Sequence, residues 1–276
     1  MSTWGILGCG TIANEMAATF QKMGHEIYGV ANRTPEKAEK FADKYGVKHV
    51  FKTYEEMLAD ENIDIIYVAT PHSMHYENMK QAVNAGKHIL CEKAITVNAA
   101  QLEEVLELAE EKGVKLGIEN CLMDGTWEHA TCNIGFNPKA WEVMFEEVKN
   151  DNFGLEWEPT HQMVQLIDPV TELRKWCKKI VHVHGKDATI DWDAVRHGGI
   201  SGAVPFVWHR MPGFGDTNWR DIISILRSNG YEDDICIEGY HDPVYRGELE
   251  MTGQLHALNY LKWCRGGEFT PTPWEK

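Results

Sequence analysis

The strongest constraint on the fold is an alternation of short β-rich apolar runs with amphipathic helical patterns between residues 4 and 112. Parallel strands joined by crossover helices produce this alternation, because each strand is buried on both faces while each helix buries one stripe. The predicted strands are residues 4–7, 26–31, 65–69 and 88–91, and the predicted helices are residues 12–23, 35–45, 54–59, 76–85 and 98–112. This part of the chain is therefore expected to be an α/β unit.

A glycine turn, Gly8-Cys9-Gly10-Thr11-Ile12-Ala13, follows the first predicted strand and opens the first predicted helix. Two glycines allow a sharp turn and let the backbone approach a pyrophosphate, and the N–H groups and dipole of the helix N-terminus favour its charge. We therefore predict a Rossmann-type dinucleotide-binding unit over residues 1–112. The residues expected at the cofactor in this turn are Gly8, Gly10, Thr11, Ile12 and Ala13.

The end of the second predicted strand bears on the choice between NAD and NADP. It carries Asn32 and Arg33, where NAD-preferring sites usually have an acidic residue for the ribose hydroxyls. A guanidinium at this point can pair with a 2′-phosphate, so NADP is favoured over NAD. The alternative is that Arg33 is a solvated surface residue.

Composition changes near residue 113. Of ten tryptophans only Trp4 precedes this point, and of ten prolines only Pro35 and Pro71 do. We predict a boundary here, with units at residues 1–112 and 113–276. The alternation continues beyond it, with strands predicted at residues 114–119, 154–158, 180–184 and 234–238 and helices at 138–149, 168–178 and 219–228. Residues 191–215 are expected to be a functional loop or lid.

Charge and hydropathy exclude several classes of partner. A formal net charge of -15 argues against nucleic acid, whose binding draws on clustered Lys and Arg. No apolar run reaches the roughly 18 residues of a membrane helix, so a cytoplasmic protein is expected. An odd number of cysteines without C-x-x-C spacing indicates reduced thiols. They are Cys9, Cys91, Cys121, Cys132, Cys177, Cys236 and Cys264.

Three segments of residues 3–116 together carry a resemblance to a known family. They are the Gly8 turn, Thr70-Pro71-His72-Ser73-Met74-His75 and Cys91-Glu92-Lys93. With them the chain resembles the Gfo/Idh/MocA oxidoreductases. The resemblance implies NAD(P)-dependent chemistry on sugars or polyols, with Thr70, Pro71, His75, Glu92 and Lys93 at the cofactor and Lys93 as catalytic proton donor. Ala94 stands where that family has proline, and the family's second domain has no recognisable counterpart.

A second ordered series of segments spans residues 113–265. It consists of Gly117-Ile118-Glu119-Asn120, Trp157-Glu158-Pro159-Thr160-His161, His182-Val183-His184-Gly185-Lys186-Asp187, Arg210-Met211-Pro212-Gly213-Phe214-Gly215 and Ile237-Glu238. Each segment lies at or just after a predicted strand end, where the catalytic residues of TIM barrels are found. The series resembles the last four βα units of the sugar phosphate isomerase/epimerase family, the xylose-isomerase-like TIM barrels.

This second resemblance implies a metal site and a reaction. The metal ligands would be Glu119, Glu158, His184 and Glu238, a donor set that suits Mn²⁺, Mg²⁺ or Co²⁺. Glu119 and Glu238 would also be catalytic, moving a proton between adjacent carbons through an enediolate. The residues implied for orienting a sugar or sugar phosphate are His161, Lys186 and Arg210.

The expected fold is therefore a Rossmann-type parallel sheet fused to a (βα)4 half of a TIM barrel, as in a chimera. A half-barrel exposes strand edges, which could pair with the Rossmann strands in a composite sheet or barrel, or with a second copy in a homodimer. Three functions remain open at this point. They are a metal-dependent sugar isomerase or epimerase, an NAD(P)-dependent oxidoreductase on sugars or polyols, and a non-catalytic fusion.

Overall fold

The structure is a computed structural model that describes residues 2–122, 134–201, 204–239 and 241–267. Cys132 lies outside these residues. The chain divides into two compact units, Met1–Val114 and Lys115–Lys276. Among the described residues, the strands of the first unit form one five-stranded sheet, and those of the second unit form a four-stranded and a two-stranded sheet.

The first unit alternates strands and helices along its whole length. Its elements are β1 (Trp4–Leu7), α1 (Thr11–Met23), β2 (Ile27–Ala31), α2 (Pro35–Tyr45), β3 (His49–Phe51), α3 (Tyr54–Leu58), β4 (Ile65–Val68), α4 (His72–Asn84), β5 (His88–Cys91) and α5 (Ala99–Lys112). The strands form a parallel sheet in the order β3-β2-β1-β4-β5. This order places β1, with its glycine turn, at the centre of the sheet.

Two packed clusters hold this sheet between its helices. One centres on Ile6 and Val30 with Ala13 and Ala17 of α1, and the other includes Leu7. Small alanines let α1 approach the sheet closely, which keeps its N-terminus at the end of β1.

Two local predictions in the first unit were incomplete. β3 was not predicted, because three residues give too short a run for an alternation to be recognised. α4 begins at His72, four residues before the predicted start, and Pro71 precedes it with φ −59° and ψ 145°. Proline is well tolerated at a helix start, where the missing N–H has no helical partner.

The second unit begins with the next strand. Its elements are β6 (Leu116–Glu119), α6 (Pro138–Glu147), β7 (Phe153–Trp157), α7 (Thr160–Met163), α8 (Pro169–Trp176), β8 (Ile180–Gly185), β9 (Asp187–Ile190), α9 (Trp192–Gly198), β10 (Val207–Arg210), α10 (Trp219–Ser228), β11 (Ile235–Ile237) and α11 (Glu250–Arg265). Four strands form a parallel sheet in the order β11-β8-β7-β6. Its core contains the fully buried Trp141, Phe153 and Leu155.

The prediction of a loop or lid over residues 191–215 was wrong in part. α9 and β10 lie within this stretch, and β10 pairs antiparallel with β9. The pairing joins residues far apart in sequence, which a local pattern does not reveal. α11 was also not predicted.

Two expectations from composition concern membranes and disulfides. Among the described helices, none combines the length and apolar character that a membrane crossing requires. The described cysteines form no disulfide bond with one another.

Candidate functional site

The glycine turn of the first unit is shaped by the neighbouring strand β4. Gly8 has φ +99°, and a Cβ at this position would lie 2.6 Å from the carbonyl oxygen of Ala69. Glycine is therefore required here by both conformation and space. Gly10 is the N-cap of α1 and has ordinary extended geometry, and a Cβ on it would meet only the Ala69 oxygen at 4.0 Å. The space beside Gly10 is thus open for a ligand.

A cavity of about 650 Å³ opens at this turn. Its lining includes six residues predicted or implied for the cofactor, namely Gly8, Gly10, Asn32, Arg33, Thr70 and Pro71. Lys37 and Lys52 also line it, together with the carboxylate residue Glu55. Three cationic side chains against one carboxylate give the cavity an excess of positive charge, which favours an anionic ligand.

The rest of the glycine motif lies in α1, where Thr11 and Ile12 form the first turn and Ala13 is fully buried against the sheet. Ala13 thus serves the close helix packing expected of this position.

His75, which the resemblance implied at the cofactor, lies in the first turns of α4. It is fully buried, and its Nδ1 and Nε2 lie 2.8 Å from the carbonyl oxygens of Ala94 and Thr70, respectively. The ring thereby joins the turn after β4 to the segment after β5.

Glu92 and Lys93 directly follow β5. The hydroxyl of Tyr67 donates a hydrogen bond to Glu92, and burial and this contact raise the pKa of Tyr67. Lys93 is exposed, and the peptide bond between Lys93 and Ala94 is cis. Glu92 is thus held by its neighbour strand, whereas Lys93 is accessible from solvent.

In the second unit, strand register brings the four implied metal ligands to one face of the sheet. Glu119 of β6 pairs with Glu156 of β7, and Cys236 of β11 pairs with His184 of β8. Residues two apart on a strand share a face, so Glu158 lies on the face of Glu156 and Glu238 on that of Cys236. The carboxyl ends of these strands therefore converge.

Distances between the side chains confirm that the groups meet. His184 Nδ1 lies 3.3 Å from Glu238 Oε2, 3.7 Å from Glu158 Oε2 and 3.9 Å from Glu119 Oε1. One ligand atom from each of the four residues lies within 4.8 Å of every other. Glu158 is fully buried. Sequence had implied these four residues as a set, and the structure brings all four together.

This donor set fits a hard divalent cation, because it offers three carboxylate oxygens and one imidazole nitrogen around one point. The inward atoms Glu158 Oε2, Glu238 Oε2 and His184 Nδ1 are buried and lack a hydrogen-bond partner of good geometry among the described residues. Buried polar atoms usually have a hydrogen-bond or ionic partner. A cation at their centre would supply it.

The outward atoms of the same ligands contact other charged side chains. Lys186 Nζ lies 2.8 Å from Glu238 Oε1, and His161 Nε2 lies 3.0 Å from Glu158 Oε1. His161 and Lys186, implied as substrate residues, thus directly contact the ligand carboxylates.

The closely spaced charges in this cluster shift the pKa values of its side chains. Burial alone would lower the pKa of His184, but the carboxylates of Glu156, Glu158 and Glu238 raise it to about 12. Burial opposes ionisation of Glu158, yet His161 and His184 lower the pKa of its carboxyl group. Burial and the neighbouring Glu158 raise the pKa of Glu119. A cation at His184 would therefore compete with protonation of the imidazole.

Arg210, the third residue implied for the substrate, is held by a buried aspartate. Its Nε lies 3.2 Å from Asp242 Oδ2, and the same oxygen accepts a hydrogen bond from the backbone N–H of Met211 at 2.8 Å. The guanidinium is thus fixed at the end of β10, with one-fifth of its side chain exposed.

Sequence reasoning missed Glu156, Lys37, Lys52 and Asp242. A signal existed for Glu156, because Glu156-x-Glu158 and His182-x-His184 repeat at the strand period on successive predicted strands. Lys37 and Lys52 lie on separate elements, and only the folded sheet brings them to the cavity of the glycine turn.

Fold and site together define an α/β protein in which a dinucleotide-binding type of sheet precedes a second parallel sheet with metal-type residues at its strand ends. The chain belongs to the family described as xylose isomerase-like TIM barrel, whose sequence pattern matches residues 79–262, two-thirds of the chain. Residues 2–120 match the Gfo/Idh/MocA family, described as oxidoreductase family, NAD-binding Rossmann fold. The two matches share residues 79–120.

Curated relatives match less than half of the chain. Trans-1,2-dihydrobenzene-1,2-diol dehydrogenase from Mus musculus is 35% identical over 127 residues, which cover 45% of this chain and 36% of the relative. D-xylose 1-dehydrogenase (NADP(+)) from Hypocrea jecorina is 39% identical over 137 residues, which cover 45% of this chain and 34% of the relative. The chain thus spans about a third of the length of these relatives.

Solved structures match over a similar share. An NAD binding oxidoreductase from Klebsiella pneumoniae is 27% identical with a TM-score of 0.39, covering 41% of this chain and 33% of that chain.

Proposed function

We propose that the first unit binds NADP or NAD at the glycine turn and that the protein is an NAD(P)-dependent oxidoreductase acting on sugars or polyols. The observation that carries this proposal is the open cavity beside Gly10, with Arg33 and Lys37 in its lining. The oxidoreductase family match and the dehydrogenase relatives support it. The cationic lining favours NADP, because the 2′-phosphate adds negative charge.

Different residues of the chain would bind the cofactor and transfer the proton in this reaction. The glycine turn and the N-terminus of α1 would hold the pyrophosphate, and Arg33 would contact the adenosine end of NADP. The dinucleotide supplies hydride transfer when bound. Lys93 would hold and move the proton of the substrate hydroxyl.

Two measurements test this proposal in sequence. Calorimetric titration with NADP and NAD should show binding at a stoichiometry of one, with NADP bound more tightly. Absorbance of the reduced nicotinamide should then rise with D-xylose or a polyol as substrate, and Lys93→Met should lower the rate of this rise far more than it lowers the affinity for NADP. Absence of dinucleotide binding would overturn the proposal, whereas binding without turnover would restrict it to cofactor binding.

The convergence of Glu119, Glu158, His184 and Glu238 favours a second candidate function, a metal-dependent sugar or sugar phosphate isomerase or epimerase. These four residues would hold Mn²⁺, Mg²⁺ or Co²⁺. The cation supplies stabilisation of negative charge on a substrate oxygen when bound. Membership in the xylose isomerase-like family is compatible with this chemistry.

Glu119 and Glu238 would carry the proton in this second function. They come from β6 and from the end of β11, the two outer strands of the sheet, and so approach the cluster from opposite sides. One carboxylate could remove a proton while the other returns one to the adjacent carbon. Lys186 and Arg210 would orient the hydroxyl or phosphate groups.

Ketose–aldose interconversion, measured with Mn²⁺ and with EDTA, tests the second candidate. Glu238→Gln should abolish the interconversion, because it removes both a ligand charge and a proton acceptor. An unchanged rate in this variant, or full activity in EDTA, would contradict a metal-centred mechanism.

A further inference from the structure

Glu156 is an unassigned carboxylate that contacts the proposed ligand His184. Its Oε1 lies 2.9 Å from His184 Nε2, a charge-assisted hydrogen-bond distance. The contact follows from strand register, because Glu156 pairs with His182, and His184 is the next residue of β8 on the same face. Glu156 and His184 are therefore diagonal neighbours on two adjacent strands.

The two nitrogens of His184 face different groups. Nδ1 points to the inward oxygens of Glu119, Glu158 and Glu238, whereas Nε2 points to Glu156. A histidine can coordinate a cation through Nδ1 only when the lone pair is on that nitrogen, which leaves the proton on Nε2. A carboxylate opposite Nε2 selects this tautomer, because it accepts a hydrogen bond and cannot donate one when ionised.

We infer that Glu156 is a positioning residue that fixes the metal-binding tautomer and the ring orientation of His184. This inference rests on the proposed cation site. Two of the other three ligands have a comparable contact, since Lys186 lies against Oε1 of Glu238 and His161 against Oε1 of Glu158. Glu156 thus orients the imidazole of His184, as Lys186 and His161 orient the carboxylates of Glu238 and Glu158. Such outer partners contribute about 10–100-fold to metal affinity.

Another arrangement of the same groups would make Glu156 a ligand in its own right. Glu156, His182 and His184 also bring one donor atom each within 4.8 Å of one another. That arrangement requires His184 to serve two ions through its two nitrogens, or a cation at Nε2 in place of the site at Nδ1. Stoichiometry and the protonated nitrogen of His184 distinguish the two arrangements.

Mn²⁺ titration of the metal-free full chain by calorimetry tests the inference. The wild type should bind one Mn²⁺, and Glu156→Ala should weaken this binding about 10–100-fold while the stoichiometry remains one. Glu156→Gln keeps an acceptor oxygen and should therefore lose less Mn²⁺ affinity than Glu156→Ala. Glu142→Ala, which removes a surface carboxylate paired with Lys139, is the matched control and should leave affinity unchanged.

A second measurement uses the wild type and so does not depend on the folding of a variant. In the Mg²⁺-loaded protein, nitrogen-15 correlations of the His184 ring should show a protonated Nε2. A protonated Nδ1, a second bound Mn²⁺ that is lost in Glu156→Ala, or unchanged affinity in that variant overturns the inference alone. Absence of Mn²⁺ binding in the wild type overturns the proposed cation site and this inference together.

Discussion

The ammonium group of Lys186 lies 2.8 Å from Glu238 Oε1 and 3.8 Å from Glu158 Oε1, while the lysine side chain is only 4% exposed. A buried cation thus balances two of the carboxylates that would hold a metal. Removal of one partner from a buried charge pair is costly, because the remaining charge loses its compensation.

Lys186→Met should therefore destabilise the metal-free second unit by about 3 kcal/mol, the lower end for a buried pair, since Glu238 is 30% exposed. Mn²⁺ should restore part of this loss, because it supplies positive charge at the same carboxylates. Thermal unfolding with and without Mn²⁺ measures both effects. Lys139→Met, which removes an exposed pair with Glu142, should cost less than about 1 kcal/mol and serves as the control.

Gly10→Ala should weaken dinucleotide binding with only a small loss of stability, since alanine is a poorer N-cap than glycine. The new Cβ has open space in the protein but occupies the side of the turn where a pyrophosphate would approach. Gly8→Ala should instead lower the melting temperature, because of its positive φ and the Ala69 oxygen 2.6 Å from the new Cβ. Melting curves and NADP titrations of both variants separate the effects. A Gly10→Ala protein with wild-type affinity would contradict the predicted pyrophosphate position.

Arg33→Ala should reduce affinity for NADP by about 10–100-fold, the range for a lost hydrogen bond to a charged group, with little change for NAD. The guanidinium lines the cavity of the glycine turn, where it would pair with the 2′-phosphate that only NADP carries. Parallel titrations with both dinucleotides provide the measurement. Equal losses for NADP and NAD would show that Arg33 does not distinguish them.

Asp242→Asn should destabilise the second unit by about 3 kcal/mol at pH 7. The carboxylate is 1% exposed and accepts hydrogen bonds from the backbone N–H groups of Met211, Val244 and Tyr245, and an amide has only one accepting oxygen. Burial opposes ionisation, but these bonds lower the pKa of Asp242.

The sign of the pH dependence follows from this lowered pKa. The contribution of Asp242 is complete above the unfolded value of about 3.9 and is lost as the pH falls through the lower folded value. The stability difference between wild type and Asp242→Asn should therefore shrink only in strongly acidic solution. Unfolding curves from pH 7 down to the acid limit test this, and a difference that already vanishes near pH 6 would contradict it.

Most strands and helices could be predicted because their signals lie among residues that are neighbours along the chain. The Gly8 turn lies between an apolar run and an amphipathic helix, and Asn98, the first residue of the predicted helix 98–112, caps α5 by accepting a hydrogen bond from the N–H of Gln101. Some elements without such signals were missed, including β3, which is short, and β10, which depends on its pairing with β9.

The sequence by itself determined the type of each strand and helix around the glycine turn, and the chemical character of the residues at the strand ends, because both depend on neighbours along the chain. Tertiary structure alone decided that Glu156 contacts His184 and that His75 joins Thr70 to Ala94. These contacts depend on strand register and on loop packing. A shift of one residue in that register would turn Glu156 to the opposite face of the sheet.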